Sequence, residues 1–79
     1  MHLSTQVRQQ KLAKLLAAEG YDTLEAMAAA VLSDSVSPAI CTEVDCDYTT
    51  EMEPDQDAGY CENCGKNAGV AALVLAGLI

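Results

Sequence analysis

The 79-residue chain contains no tryptophan, no phenylalanine and only three tyrosines. Its core must therefore be built mainly from Ala, Leu and Val, which bury less surface per residue than aromatic side chains do. Chains of this size bury barely enough surface to offset the entropy cost of ordering them, so small domains commonly depend on a disulfide or metal cross-link. The four cysteines are the residues that can supply one.

Basic residues are also scarce. Four Lys and Arg face twelve Asp and Glu, and the formal net charge is −8. This balance argues against a nucleic-acid binder that works by bulk electrostatic attraction. All twelve acidic residues lie between Lys14 and Lys66, an interval without a basic residue. We interpret this acidic region either as a solvated surface or as a docking surface for a basic partner.

Long apolar runs are absent too. The longest uncharged apolar stretch, residues 67–79, has 13 residues, and a membrane helix needs about 20. The first residues lack the apolar core of a signal peptide. We therefore expect a cytoplasmic protein with no membrane partner, in which thiols stay reduced and free to bind a metal.

The leucine spacing and capping signals in residues 4–37 predict an N-terminal helical hairpin. Leucines recur at i, i+3 and i+4 in the first helix, which is expected to end at Gly20. Residues 22–25 resemble a capping box, which places the start of the second helix at Asp22. The positions expected to be buried are Leu12, Leu15, Leu16, Leu24, Met27, Ala28 and Val31.

Residues 39–67 contain every cysteine and predict a β-hairpin with a cysteine pair at each end. The alternating pattern places Tyr48, Thr50 and Met52 on one face of a strand. Residues 54–59 have the composition of a turn, and a returning strand is expected from Tyr60.

Residues 68–79 form an apolar C-terminal segment. Its valines and glycines would suit a buried strand, but its length and its Ala and Leu content favour a helix, with Val70, Leu73, Val74 and Leu78 forming a stripe. The segment must be covered by the helical hairpin or by a second copy of the chain, as in a homodimer. Residues 1–79 are thus interpreted as a single α+β domain.

The cysteine spacing is the strongest signal in the chain. Cys41-x4-Cys46 and Cys61-x2-Cys64 are separated by fourteen residues. Two residues between thiolates allow both sulfurs to reach one ion, and Gly65 permits the tight turn beneath them. Four thiolates in tetrahedral reach select zinc, so the pattern predicts one Zn²⁺ per chain.

Three other interpretations of the cysteines remain open. Iron binds the same thiolates as in a rubredoxin. Two disulfides would require an oxidising compartment. A thioredoxin-type redox pair normally accompanies a βαβ pattern, which this sequence does not show.

No arrangement of residues in the sequence points to catalysis. Four protein ligands would leave no open metal position for a substrate. The only histidine, His2, is far in sequence from any candidate partner. We therefore expect a non-enzymatic protein.

Several short segments resemble a known group of proteins. Residues 38–41, 46–50, 53–56, 60–65 and 72–77 are similar to segments of small zinc-ribbon-like proteins encoded by bacteria and their phages. The resemblance implies zinc binding by Cys41, Cys46, Cys61 and Cys64 without an enzymatic role. Zinc ribbons often serve transcription, replication or translation machinery, but the acidic hairpin of this chain differs from nucleic-acid-binding members.

Three functions follow from these observations. The first is a structural-zinc adaptor that binds another protein, whose identity the sequence does not give. The second is a nucleic-acid-binding zinc ribbon that uses the basic face of the first helix, formed by Arg8, Lys11 and Lys14. The third is a rubredoxin-like iron electron carrier.

Overall fold

The computed structural model describes residues 4–33 and 35–78. It has α+β architecture with six elements. These are α1 (Thr5–Glu19), α2 (Leu24–Leu32), β1 (Ser37–Cys41), β2 (Thr49–Met52), β3 (Gly69–Ala71) and α3 (Ala72–Leu75). His2 and Ile79, which entered the sequence predictions above, lie outside the described residues.

The two N-terminal helices form where the sequence predicted them, and side chains cap both. The Ser4 hydroxyl accepts a hydrogen bond from the Val7 N–H, and α1 ends at Gly20 with a φ of 79°. In α2 the cap is Thr23, one residue after the predicted start at Asp22, because its hydroxyl reaches the Ala26 N–H at 3.1 Å. Each cap satisfies a main-chain donor that the first helical turn leaves without a partner.

The sheet is antiparallel with strand order β2-β1-β3. The predicted strand around Thr50 exists, but the expected partner after Tyr60 was wrong: β2 pairs with β1, and Ala39 stands opposite Thr50. Strand β1 was not predicted, because Pro38 after the Ser- and Asp-rich residues 33–37 is typical of a boundary between elements. Pro38 is tolerated in this central strand because its nitrogen faces the β3 side: the Cys41 N–H bonds the Tyr48 carbonyl on the β2 side, and main-chain groups alternate along the strand. Since β3 pairs only with residues 39–41, no ladder bond needs the missing N–H.

The C-terminal segment combines both conformations that the sequence allowed. Gly69–Ala71 is a strand paired with β1, which corrects the preference for a helix throughout. Ala72–Leu75 is a single helical turn. The change follows from pairing, because β3 pairs with β1 on one side, while its Gly69 and Ala71 N–H groups donate to the Gly59 and Gln56 carbonyls on the other.

One apolar cluster joins the helices, the sheet and the C-terminal segment. α1 lies mainly against β1 and α3 rather than against α2, so the predicted helical hairpin is not confirmed. Both helices instead contribute side chains to this shared cluster. The predicted core position Leu78 is instead 59% exposed. The buried members are Leu15, Met27, Val31, Ile40, Val70, Ala72, Leu73 and Leu75.

Candidate metal centre

The four cysteines come from the end of β1 and from two loops. Cys41 is the last residue of β1, and Cys46 lies in the loop between β1 and β2, where its N–H donates to the Glu43 carbonyl. Cys61 and Cys64 lie in the connection from β2 to β3. There the Gly65 N–H donates to the Cys61 carbonyl at 2.8 Å, and Gly65 has a φ of 77°. Glycine adopts this left-handed conformation without the steric cost that other residues incur.

The sulfur atoms form a compact group. All four Sγ atoms lie within 4.8 Å of one another. The Cys41–Cys64 and Cys46–Cys61 Sγ distances are 3.6 and 3.7 Å. A tetrahedral zinc site with Zn–S bonds of about 2.3 Å has sulfur–sulfur edges of about 3.8 Å. These distances therefore fit four ligands around one ion, and all four cysteines are free thiols.

Burial around the sulfurs is uneven. Cys41, Cys46 and Cys61 are at most 5% exposed, and Cys64 is the most exposed of the four. Ala68 and Tyr48 pack against the cysteines in a second apolar cluster, separate from the main core. The residues that the spacing predicted as ligands are thus brought together in a mostly dry site that can hold a metal ion.

Hydrogen bonds and burial give the thiols different acidities. Burial raises the pKa of Cys41 to about 12, although a hydrogen bond from the Glu43 main chain opposes the shift. The Asn63 amide, which donates to Cys46 Sγ at 3.3 Å, lowers the pKa of Cys46 to about 6, with help from the Tyr48 main chain. The lowered pKa of Cys46 favours its thiolate form, which is the form that binds a metal.

Lys11 is the site residue whose role the sequence reasoning missed. Its Nζ donates to the carbonyl oxygens of Glu43 and Cys46 at 2.7 and 2.6 Å and to Asp47 Oδ1 at 2.9 Å. An ammonium group has three donor protons, so all of them are used. Lys11 is only 4% exposed. A helix of the main core is thereby tied to the loop that carries Cys46.

Lys14 and Arg8, the other two residues predicted to contact nucleic acid, differ in their contacts and burial. Lys14 binds both carboxylate oxygens of Asp47, at 3.1 and 3.0 Å. Hydrogen bonds lower the pKa of Asp47, with the larger contribution from Lys11 and a smaller one from Lys14. Arg8 is half-buried on the same helix. Two of the three residues predicted to contact phosphate, Lys11 and Lys14, therefore pair with the loop that carries Cys46.

Basic residues gather around this loop. Lys11 and Lys14 pair with Asp47, and Lys66 pairs with Glu43 at 2.7 Å. Three of the four basic residues in the chain thus lie beside the cysteines. Four thiolates around a divalent ion leave a local charge of about −2, which nearby ammonium groups would stabilise.

Comparisons with protein-family models, curated proteins and solved structures found no significant match to this chain. The resemblance to zinc-ribbon-like proteins therefore stays a prediction.

Within residues 4–33 and 35–78, no helix combines the length and apolar character that crossing a bilayer requires.

Proposed function

We propose that this protein is a non-enzymatic cytoplasmic module whose fold depends on one Zn²⁺ and which acts as a small adaptor for another protein. The observation that carries the proposal is the group of four Sγ atoms within 4.8 Å of one another. The ligands would be Cys41, Cys46, Cys61 and Cys64.

A structural role is favoured over a catalytic one by the number of ligands. Four thiolates complete a tetrahedron and leave no position for water or substrate, whereas catalytic zinc sites keep one open. Structural zinc contributes on the order of 10 kcal/mol to folding in small zinc-binding peptides. That contribution is comparable to the whole stability of a small domain, and this chain lacks a core rich in aromatic residues.

Lys11 explains how the metal would stabilise more than its own loops. Its acceptors, the Glu43 and Cys46 carbonyl oxygens and the Asp47 carboxylate, are positioned by the same loop that supplies Cys46. When the metal holds this loop, the acceptors stay in place for Lys11 and α1 stays docked. Metal binding and packing of the helical core are then coupled.

The test compares two substitutions at Cys64. Cys64→Ser removes a thiolate, so we expect loss of the metal and collapse of the dispersed NMR spectrum. Cys64→His keeps a zinc ligand, because Cys₃His sites are common, and Cys64 is exposed enough to accept the larger side chain. We expect it to retain metal and fold.

The result that would contradict a structural metal is a native, dispersed spectrum for Cys64→Ser without bound metal. Chelation of the unmodified protein provides an independent check, since it should produce the same loss of dispersion without any substitution.

A further inference from the structure

A cavity lies on the face of the sheet that points away from the helices. Ile40 and Val70 belong to the core on the helix side of the sheet. Because side chains alternate between the two faces of a strand, Tyr48, Thr50 and Met52 lie on the other face. On that opposite face, β2 and residues 56–62 line a half-open cavity of about 290 Å³. This volume lies near the lower end of the range for small-ligand sites and suits a single long side chain.

The lining of this cavity combines aromatic rings with carboxylates. It includes Tyr48, Tyr60, Glu51, Glu53 and Glu62. Tyr60 is 61% exposed, and the three glutamates are exposed as well. Aromatic faces and carboxylates both attract cations, and the attraction is stronger in a partly enclosed site.

Within residues 4–33 and 35–78, no lysine forms an ion pair with these carboxylates. In the described part of the chain, the ion pairs of the lysines go to Asp47 and Glu43, on the cysteine loop. None goes to the glutamates of the cavity. These carboxylates are therefore available to a cation from another molecule.

The strand beside the cavity is also open on one side. β2 is an edge strand, and residues 4–33 and 35–78 provide no partner for its outer side. Because the Cys41 N–H bonds the Tyr48 carbonyl, the alternate residues Thr49 and Glu51 direct their main-chain groups outward. On the other edge, by contrast, β3 is partly covered: Gly69 bridges Gly59.

We propose that β2 and this cavity bind an extended segment of a partner protein that carries a lysine or arginine side chain. The segment adds a strand to β2, and its cationic side chain enters the cavity toward Tyr48, Tyr60 and the glutamates. This inference rests on the adaptor role proposed above and specifies the chemistry of the partner.

The metal site would organise this surface. Tyr48 lies two residues after Cys46, and Tyr60 and Glu62 flank Cys61. Both walls of the cavity are therefore attached to metal ligands, and we expect the cavity to require the bound metal.

The test uses zinc-loaded, ¹⁵N-labelled protein and three synthetic octapeptides. The first alternates threonine and valine around a central arginine, the second has glutamine in place of the arginine, and the third has the arginine but an N-methylated main chain. We expect the first peptide to shift the amide signals of residues 48–53 and 60–62. Each of the other two should bind at least about tenfold more weakly, since each lacks one part of the recognition.

Two double variants separate the cavity from general charge. Glu53→Gln with Glu62→Gln, at two exposed glutamates that line the cavity outside β2, should weaken the arginine peptide at least about tenfold. Glu19→Gln with Glu25→Gln changes the net charge by the same amount at exposed positions of the helices and should leave binding unchanged.

Three results would overturn the inference. Equal weakening by both double variants would indicate non-specific charge attraction. Equal binding of the arginine and glutamine peptides would exclude a cation site. No amide shift at millimolar peptide, in a sample whose spectrum is native and whose zinc content is confirmed, would exclude this surface while leaving the structural metal intact. Loss of the zinc itself would instead contradict the proposed function.

Discussion

Replacing Lys11 with methionine tests whether helix α1 and the cysteine loop stabilise each other. Methionine keeps most of the length and apolar surface of the lysine side chain but has no ammonium group. The substitution therefore removes three hydrogen bonds, to the Glu43 and Cys46 carbonyl oxygens and to the Asp47 carboxylate, with little change in packing.

The expected loss can be worked out from the burial of these groups. The bond to the Cys46 carbonyl is buried and the bond to Glu43 is partly buried. Each of these two hydrogen bonds contributes about 1.5–3 kcal/mol because its donor is charged. Removing the buried ammonium group also removes its desolvation cost, which offsets part of the combined loss. We expect the free energy of unfolding to fall by about 2–4 kcal/mol, a large fraction of the stability of a small domain.

The assay is urea unfolding of the zinc-saturated protein, followed by circular dichroism. Lys14→Met is the matched control, because Lys14 also binds Asp47 but its side chain is 52% exposed. Exposed ion pairs contribute little, so the control should unfold close to the unmodified protein. Zinc affinity, measured by chelator competition, should fall for Lys11→Met and not for Lys14→Met.

An unchanged unfolding midpoint for Lys11→Met would refute this reasoning, because a buried ammonium with three acceptors cannot then be holding the loop. Equal losses for the two variants would also refute it, since they would assign the effect to Asp47 alone.

Two further outcomes are expected. Leu15→Ala should lower the free energy of unfolding by about 2–5 kcal/mol in the same assay, because the side chain is completely buried in the main core; a loss no larger than that of an exposed substitution would contradict this packing. Metal affinity in chelator competition should fall as the pH is lowered through neutrality, because protons compete for thiolates and the pKa of Cys41 is raised to about 12; an affinity independent of pH would contradict thiolate ligation.

Local patterns predicted the grouping of the four cysteines and the positions of the two N-terminal helices. The spacing of the cysteine pairs reflects how many residues a turn needs to bring two sulfurs to one ion, and this is a short-range property. Leu15, Met27 and Val31 were predicted to be buried from helical periodicity, and the structure confirms them. The cap of the second helix was misplaced by one residue, since Asp22 and Thr23 both suit the position.

Long-range pairing accounts for what the sequence did not reveal. Strand β1 is buried along its whole length and shows no alternation, so it carries no period-two pattern. Lys11 lies on a polar stretch of α1, and its acceptors are 32 to 36 residues away in the chain. Charged residues are usually solvated, and only the tertiary fold shows that this one is buried.

Native mass spectrometry of protein purified without added metal, with elemental analysis of the same sample, tests the four-cysteine metal site most directly. We expect one zinc per chain, released by acid or by a chelator. A metal-free chain whose mass is four hydrogens below that of the fully reduced protein would contain two disulfides, and would contradict a metal centre at Cys41, Cys46, Cys61 and Cys64.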